Sequence, residues 1–205
     1  MTDWRAWHEG YDDPGSAISE RLREVQQQVA GFLDAAPAGP IRVVSLCSGL
    51  GLDLAVPVRE HSRRNDVRGV LVELEPSLVA RSRELLTDLP ALRVVEGDAG
   101  LTASASAGAP ADLLLLCGIF GNVSDDDIRR TAENASRLCA PGATAIWTRH
   151  RRAPDLTPSI RQWWTDAGWT ELAFLSPGPE TASVAVFRLD ADPLPFQAMR
   201  LFSFD

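Results

Sequence analysis

Apolar residues recur at helical spacing between Ser16 and Ala36, at Ile18, Leu22, Val25, Val29, Phe32 and Leu33. This predicts an amphipathic helix, broken by the stretch from Pro37 to Pro40. Beyond it, short apolar runs alternate with helical patterns. Ile41–Cys47, Arg68–Leu74, Leu92–Glu96, Asp112–Cys117 and Ala143–Thr148 read as strands, and residues 52–63, 76–88, 124–139 and 157–167 as helices. Two helix starts are marked: Ser124 before Asp125, Asp126 and Asp127 resembles a capping box, and Thr157-Pro158 places proline at the first helical position. Pro57 predicts a kink or a short first turn. After residue 168 the pattern changes. Trp169–Leu175 and Ala182–Leu189 are strand-like, and the link Ser176-Pro177-Gly178-Pro179-Glu180 is too short for a parallel crossover, so they pair antiparallel. The expected class is therefore α/β: a doubly wound, mostly parallel seven-stranded sheet with a terminal antiparallel hairpin and an N-terminal helical arm.

Composition narrows the chemistry. The 205 residues suit one domain, and 45% hydrophobic with 23% charged residues is ordinary for a globular chain. All 20 basic residues are arginine, against 28 acids, giving a formal net charge of −8. That balance disfavours a phosphate backbone as partner, so no nucleic acid is expected. Cys47, Cys117 and Cys139 lack Cys-x-x-Cys spacing, and neither a disulfide framework nor a metal site is expected. No run approaches about 18 apolar residues and no apolar signal core follows Met1, which predicts no membrane partner and a cytoplasmic location.

The most chemical stretch is Val43-Val44-Ser45-Leu46-Cys47-Ser48-Gly49-Leu50-Gly51-Leu52-Asp53-Leu54. An apolar strand runs into a small-residue loop and then a helix, so the backbone at Gly49 and Gly51 passes close to something. Tight strand–helix turns also use glycine for purely steric reasons. The next strand, however, ends in Glu73, whose carboxylate can accept hydrogen bonds from the hydroxyls of a ribose. Loop and acid together point to a nucleoside-containing cofactor.

With the strand order and terminal hairpin, these residues resemble the class I S-adenosylmethionine-dependent methyltransferases over roughly residues 40–190. The resemblance implies that S-adenosyl-L-methionine lies against Cys47, Ser48, Gly49, Gly51 and Asp53, against Glu73 and Leu74, against Asp98 and Ala99 of Glu96-Gly97-Asp98-Ala99, and against Cys117 and Gly118. Cys47 stands where the family usually has an acid, and backbone groups or Asp53 replace it. Glu75 competes with Glu73, but Pro76 places it at the start of the next helix. The loop Gly118-Ile119-Phe120-Gly121-Asn122-Val123 lacks the Asn/Asp-Pro-Pro-aromatic motif of many amine-directed members, which favours a small-molecule acceptor methylated at oxygen or carboxylate.

The implied acceptor site combines Asn122, Arg149 and the aromatic arm Trp7, His8 and Tyr11, with His150 as a possible base. Each has a plainer reading: the arginines around His150 as a solvated turn, the arm as packing. The expected organisation is an arm and helix over 1–40 serving as a lid, a Rossmann-like methyltransferase domain over 41–190, and a tail over 191–205 packed on the domain. A monomer or homodimer is expected. Two alternatives stand beside this one. An NAD(P)-dependent oxidoreductase would want a third glycine where Leu54 stands. A catalytically silent nucleotide-binding fold needs no catalytic residue at all.

Overall fold

The computed structural model describes residues 16–176 and 182–204; Trp7, His8 and Tyr11 lie outside the described residues. The described chain runs α1 (Ala17–Ala35), β1 (Ile41–Leu46), α2 (Leu52–Glu60), β2 (Val67–Glu73), α3 (Pro76–Leu85), β3 (Leu92–Glu96), α4 (Thr102–Ala105), β4 (Ala111–Leu116), α5 (Asp125–Asn134), β5 (Cys139–His150), α6 (Thr157–Asp166), β6 (Trp169–Leu175) and β7 (Ala182–Leu189). The seven strands form one sheet in the order β3-β2-β1-β4-β5-β7-β6. Strands β1 to β5 are parallel, and β7 pairs antiparallel with both β5 and β6.

Both faces of the sheet are covered, which is why its central strands are almost continuously apolar. Side chains alternate between two cores. Ile41, Val43, Leu113, Leu115 and Ile146 pack under α1 and α2, against Val25, Val29, Leu33, Leu54 and Val58. Val44, Leu46, Leu114, Leu116 and Trp147 face the opposite layer, against Ile128 and Ala132 of α5 and Ile160 and Trp164 of α6. An aromatic group stiffens this second core. The Trp147 ring lies 6.0 Å from that of Phe187, and Trp164 meets Trp169 edge-on at 4.8 Å.

Several boundaries depart from the sequence pattern. The helix expected over 124–139 ends at Asn134 and tightens into a 3₁₀ turn, Ala135–Leu138. Strand β5 then begins at Cys139 rather than 143, because Pro141 keeps the residue before it extended. Helix α2 contains Pro57 and stops at Glu60, short of the expected 63. At α6, Thr157 rather than Pro158 is the first helical residue, and the Asp155 carboxylate accepts from the Thr157 N–H at 2.9 Å. The short α4 has no apolar period and was not expected.

The chain after β7 doubles back across the α5 side of the sheet. Leu194 N–H donates to Ser136 Oγ, Thr102 Oγ1 donates to the Gln197 carbonyl, and Leu201 N–H donates to the Gly100 carbonyl at 2.7 Å. Leu201 and Phe202 are buried in the core. Gly100 permits this, because a Cβ there would stand 2.1 Å from the Phe202 carbonyl oxygen. Backbone cannot yield as a flexible side chain does. Gly100→Ala is expected to lower stability by about 1–3 kcal/mol, read as a reduced urea midpoint. An unchanged midpoint would mean that residues 199–203 do not dock here.

Candidate active site

In a parallel sheet of this order the chain leaves β1 towards β2 and returns on the other side at β4. The loops after β1 and β4 therefore diverge, and a crevice opens at the carboxyl ends of the strands. A cavity of about 390 Å³ occupies that position. Its walls come from the loop after β1, the ends of β2, β3 and β4, and one face of α1.

The loop after β1 is shaped by its backbone. Cys47 and Gly51 both adopt left-handed conformations, with φ of 53° and 72°. At Cys47 this is uncommon for a residue with a side chain, and such strain collects at ligand sites. Gly51 has a second reason to be glycine: a Cβ there would approach Leu71 Cδ2 to 2.6 Å. Ser48 N–H donates to the Val72 carbonyl, so the loop begins by extending the β1–β2 pairing.

Glu73 closes the loop. Its Oε2 accepts from the Gly49 N–H at 2.8 Å, and its Oε1 accepts from the Leu74 and Glu75 N–H groups at 2.8 and 2.9 Å. A carboxylate offers about four acceptor positions. Three are filled by backbone, so one remains, on Oε2, beside the cavity that Glu73 lines. Glu75 instead caps α3, accepting from the Ser77 N–H and hydroxyl. At the end of β3, Asp98 accepts from the Gly100 N–H through Oδ1 and pairs with Arg200 through Oδ2 at 2.9 Å.

The other end of the cavity carries opposite charges. Asp53 lies in the first turn of α2, 9% exposed, and its carboxylate accepts from the Leu54 N–H. Burial pushes its pKa up to about 6, against the pull of the Leu54 N–H and the charge of Arg21. Arg21 reaches the cavity from α1, which Gln26 ties to α2 by donating to the Leu52 carbonyl at 2.9 Å. Desolvation and the Asp53 charge raise the Cys117 thiol; Cys47 is raised by desolvation, Glu73 and Asp98. Neither thiol is poised as a nucleophile.

All eleven residues implied for the cofactor, from Cys47 to Gly118, line this cavity. Of the acceptor candidates among the described residues, Asn122, Arg149 and His150 are not part of its lining. Arg149 and His150 end β5 beside the loop after β4: the Arg149 guanidinium donates to the Phe120 carbonyl, and Gly121 packs against the His150 ring. Asn122 Nδ2 folds back to donate to the Gly118 carbonyl. Burial, Arg149 and Arg152 all lower the His150 pKa, which keeps the imidazole neutral near pH 7. Arg151 is engaged by Asp155 and Ser176. Arg21 and Phe204 also line the cavity and are far from the glycine loop in sequence. The helical stripe Ile18, Leu22, Val25 flags the face of α1 on which Arg21 lies, but no local signal marks Phe204.

No protein-family model and no curated protein matches this sequence. Solved structures do. Magnesium protoporphyrin IX methyltransferase from Synechocystis PCC 6803 superposes with a TM-score of 0.71 at 12% identity, over 92% of this chain and 91% of that one. A methyltransferase from Pyrococcus furiosus gives 0.59 at 13%, over 80% and 82%. The fold is that of the class I S-adenosylmethionine-dependent methyltransferases. An O-methyltransferase family protein from Burkholderia thailandensis has it too, with a TM-score of 0.66 at 20% identity over 91% of this chain. This chain spans 60% of that protein's length. Among the described residues, no helix of this methyltransferase fold is long and apolar enough to cross a membrane.

Asp53 supplies a test of the site's electrostatics. A carboxyl whose folded pKa is raised stabilises the fold below its ordinary pKa and loses that contribution as the pH rises through about 6. Asp53→Asn is therefore expected to stabilise the ligand-free protein at pH 7.5 by roughly 2–3 kcal/mol, the scale of holding a carboxyl ionised at a site that pushes its pKa up to about 6. The advantage should vanish near pH 4. Urea unfolding at both pH values reads it, and equal gains at both would contradict a buried, charged Asp53.

Proposed function

We propose that this chain is an S-adenosylmethionine-dependent methyltransferase acting on a small-molecule acceptor, at a hydroxyl or a carboxylate. One observation carries the reading. A single cavity presents hydrogen-bond acceptors suited to a nucleoside at one end, Glu73 and Asp98, and opposite charges suited to an amino-acid group at the other, Arg21 and Asp53. A molecule that is a nucleoside joined to an α-amino acid satisfies both ends. The Synechocystis structure was solved with bound SAM, and the same protein also with bound SAH.

The described residues fit that group. Glu73 holds a ribose hydroxyl at its remaining acceptor position, and Asp98 takes the amine of adenine. Asp53 faces the ammonium and Arg21 the carboxylate, which supplies the anionic partner that Cys47 does not. Ser48 Oγ, buried without a hydrogen-bond partner among the described residues, is left for the same ligand. A dinucleotide fits poorly, because its pyrophosphate would meet the Asp53 carboxylate in the first turn of α2.

Once bound, the cofactor supplies a methyl group already activated on sulfonium sulfur. The protein's work is alignment and exclusion of water. The loop Gly118–Asn122 is fixed for that purpose. Gly118 N–H donates to Thr148 Oγ1 at 2.9 Å, Arg149 holds Phe120, and His150 backs Gly121. A neutral His150 at this position takes the proton of a hydroxyl acceptor; a carboxylate acceptor needs no base. The net charge of −8 supports an acceptor other than nucleic acid.

Calorimetry tests the reading. S-adenosylmethionine and S-adenosylhomocysteine should bind, and NAD and NADP should not. Glu73→Ala should weaken S-adenosylhomocysteine by about 1–3 kcal/mol, the scale of a charged hydrogen-bond partner. Binding of NAD without either sulfur ligand would sink the proposal.

A further inference from the structure

Residues 190–204 have no regular secondary structure, yet they end at the cavity. The segment is pinned by antiparallel bridges from Arg200 to Leu101 and from Phe204 to Val123, and by Ser203 N–H donating to Asp127 Oδ2 at 2.8 Å. Thr131 Oγ1 also donates to the Leu201 carbonyl. Fixed in this way, the segment brings two side chains to the wall that carries Asp98.

The first is Arg200. Its Nη1 pairs with Asp98 Oδ2 at 2.9 Å and also donates to the Phe202 carbonyl at 3.3 Å, so one guanidinium ties Asp98 to the segment. Both side chains of the pair are more than a third exposed, and such a pair contributes little to stability. What it does is fix the carboxylate. With the Gly100 N–H on Oδ1 and Arg200 on Oδ2, about two acceptor positions of Asp98 remain. Those positions favour a donor: an amine on the base satisfies them, and a carbonyl in the same place meets them acceptor to acceptor.

The second is Phe204. It lines the cavity 41% exposed and is steadied by Phe202, whose ring meets it edge-on at 5.7 Å. Leu74, 63% exposed, lines the same cavity. Two partly exposed apolar side chains that line one cavity with a fixed acceptor suit a flat heterocycle.

We propose that the segment after β7 completes the nucleobase end of the cavity: Phe204 packs on the base, and Arg200 positions Asp98 to select adenine by its exocyclic amine. The proposal rests on reading the cavity as an adenosyl site. Arg200 is a positioning residue, and Phe204 contributes affinity without distinguishing one purine from another.

The probes are 5′-methylthioadenosine and 5′-methylthioinosine, which lack the amino-acid group and differ only at the Watson–Crick edge of the base, an exocyclic amine beside a bare N1 against a carbonyl beside N1–H, with S-adenosylhomocysteine as reference. The full chain should bind the adenosine form at least about tenfold more tightly. Phe204→Ala should weaken both nucleosides by about tenfold or more and leave their ratio unchanged. Phe204→Leu, which keeps an apolar group without a ring, should fall between. Arg200→Met should collapse the ratio towards one, chiefly by loss of the adenosine form, and Arg200→Lys should restore most of it. A purely structural role would not move that ratio. If S-adenosylhomocysteine binds and the variants match the parent in both affinity and ratio, the proposal is overturned while the cofactor reading stands. If the parent binds none of the three probes, the cofactor reading fails and the inference with it.

Discussion

The site depends on one buried carboxylate. Glu73 gathers three backbone N–H groups, one from the loop after β1 and two from the start of the turn into α3. The interaction runs between adjacent parallel strands, so it couples the shape of the glycine loop to the end of β2. Without it the Gly49 N–H would be a buried donor with no acceptor, which costs about 1–3 kcal/mol. The left-handed backbone at Cys47 and Gly51 is tolerable because the loop is held at both ends, by the β1–β2 pairing and by this side chain.

From that anchor the rest of the cavity follows. Gly51 is the N-cap of α2, which puts Asp53 in the first turn of that helix, at its positive end. There the helix dipole favours a carboxylate while burial opposes it. The outcome is an acid with its pKa pushed up to about 6, whose charge is uncomfortable until a cation arrives. Arg21, brought in by α1, makes that end of the cavity zwitterionic. Cys47 stands in place of the expected acid, yet the cavity still has an anion beside Arg21. Under the proposed function that anion is Asp53, six residues later and in the first turn of α2.

Much of this was legible in the sequence because local chemistry and tertiary position coincide. Apolar runs of five or six residues, buried on both faces, announce parallel strands. The short link between Leu175 and Ala182 announces the antiparallel pair. Glycines at 49 and 51, with an acid ending the next strand, place three walls of the cavity within residues 47–99. The remainder was hidden because it is non-local. Arg21 belongs to a helix whose periodicity reports only its buried stripe, and the sequence holds no hint that this helix leans on the first turn of α2 through Gln26. Phe204 and Arg200 are further still from the loops they touch. Helix α4 exists because its residues fit beneath the strands, with Gly108 just beyond it pressed against Val44 and Val70, and small polar residues carry no period. The cluster Arg149 to Arg152 hides a division that sequence does not mark. Adjacent in sequence, they are divided by the strand end: Arg149 binds the loop after β4 and Arg151 binds Asp155.

The central claim is that one cavity takes a nucleoside at Glu73 and an amino-acid group at Asp53 and Arg21. A crystal structure of the full chain with S-adenosylhomocysteine measures this most directly. The account predicts a ribose hydroxyl within hydrogen-bonding distance of Glu73 Oε2, with the ligand's ammonium beside Asp53 and its carboxylate beside Arg21. A ligand bound in the opposite direction, or outside the loop after β1, would contradict it.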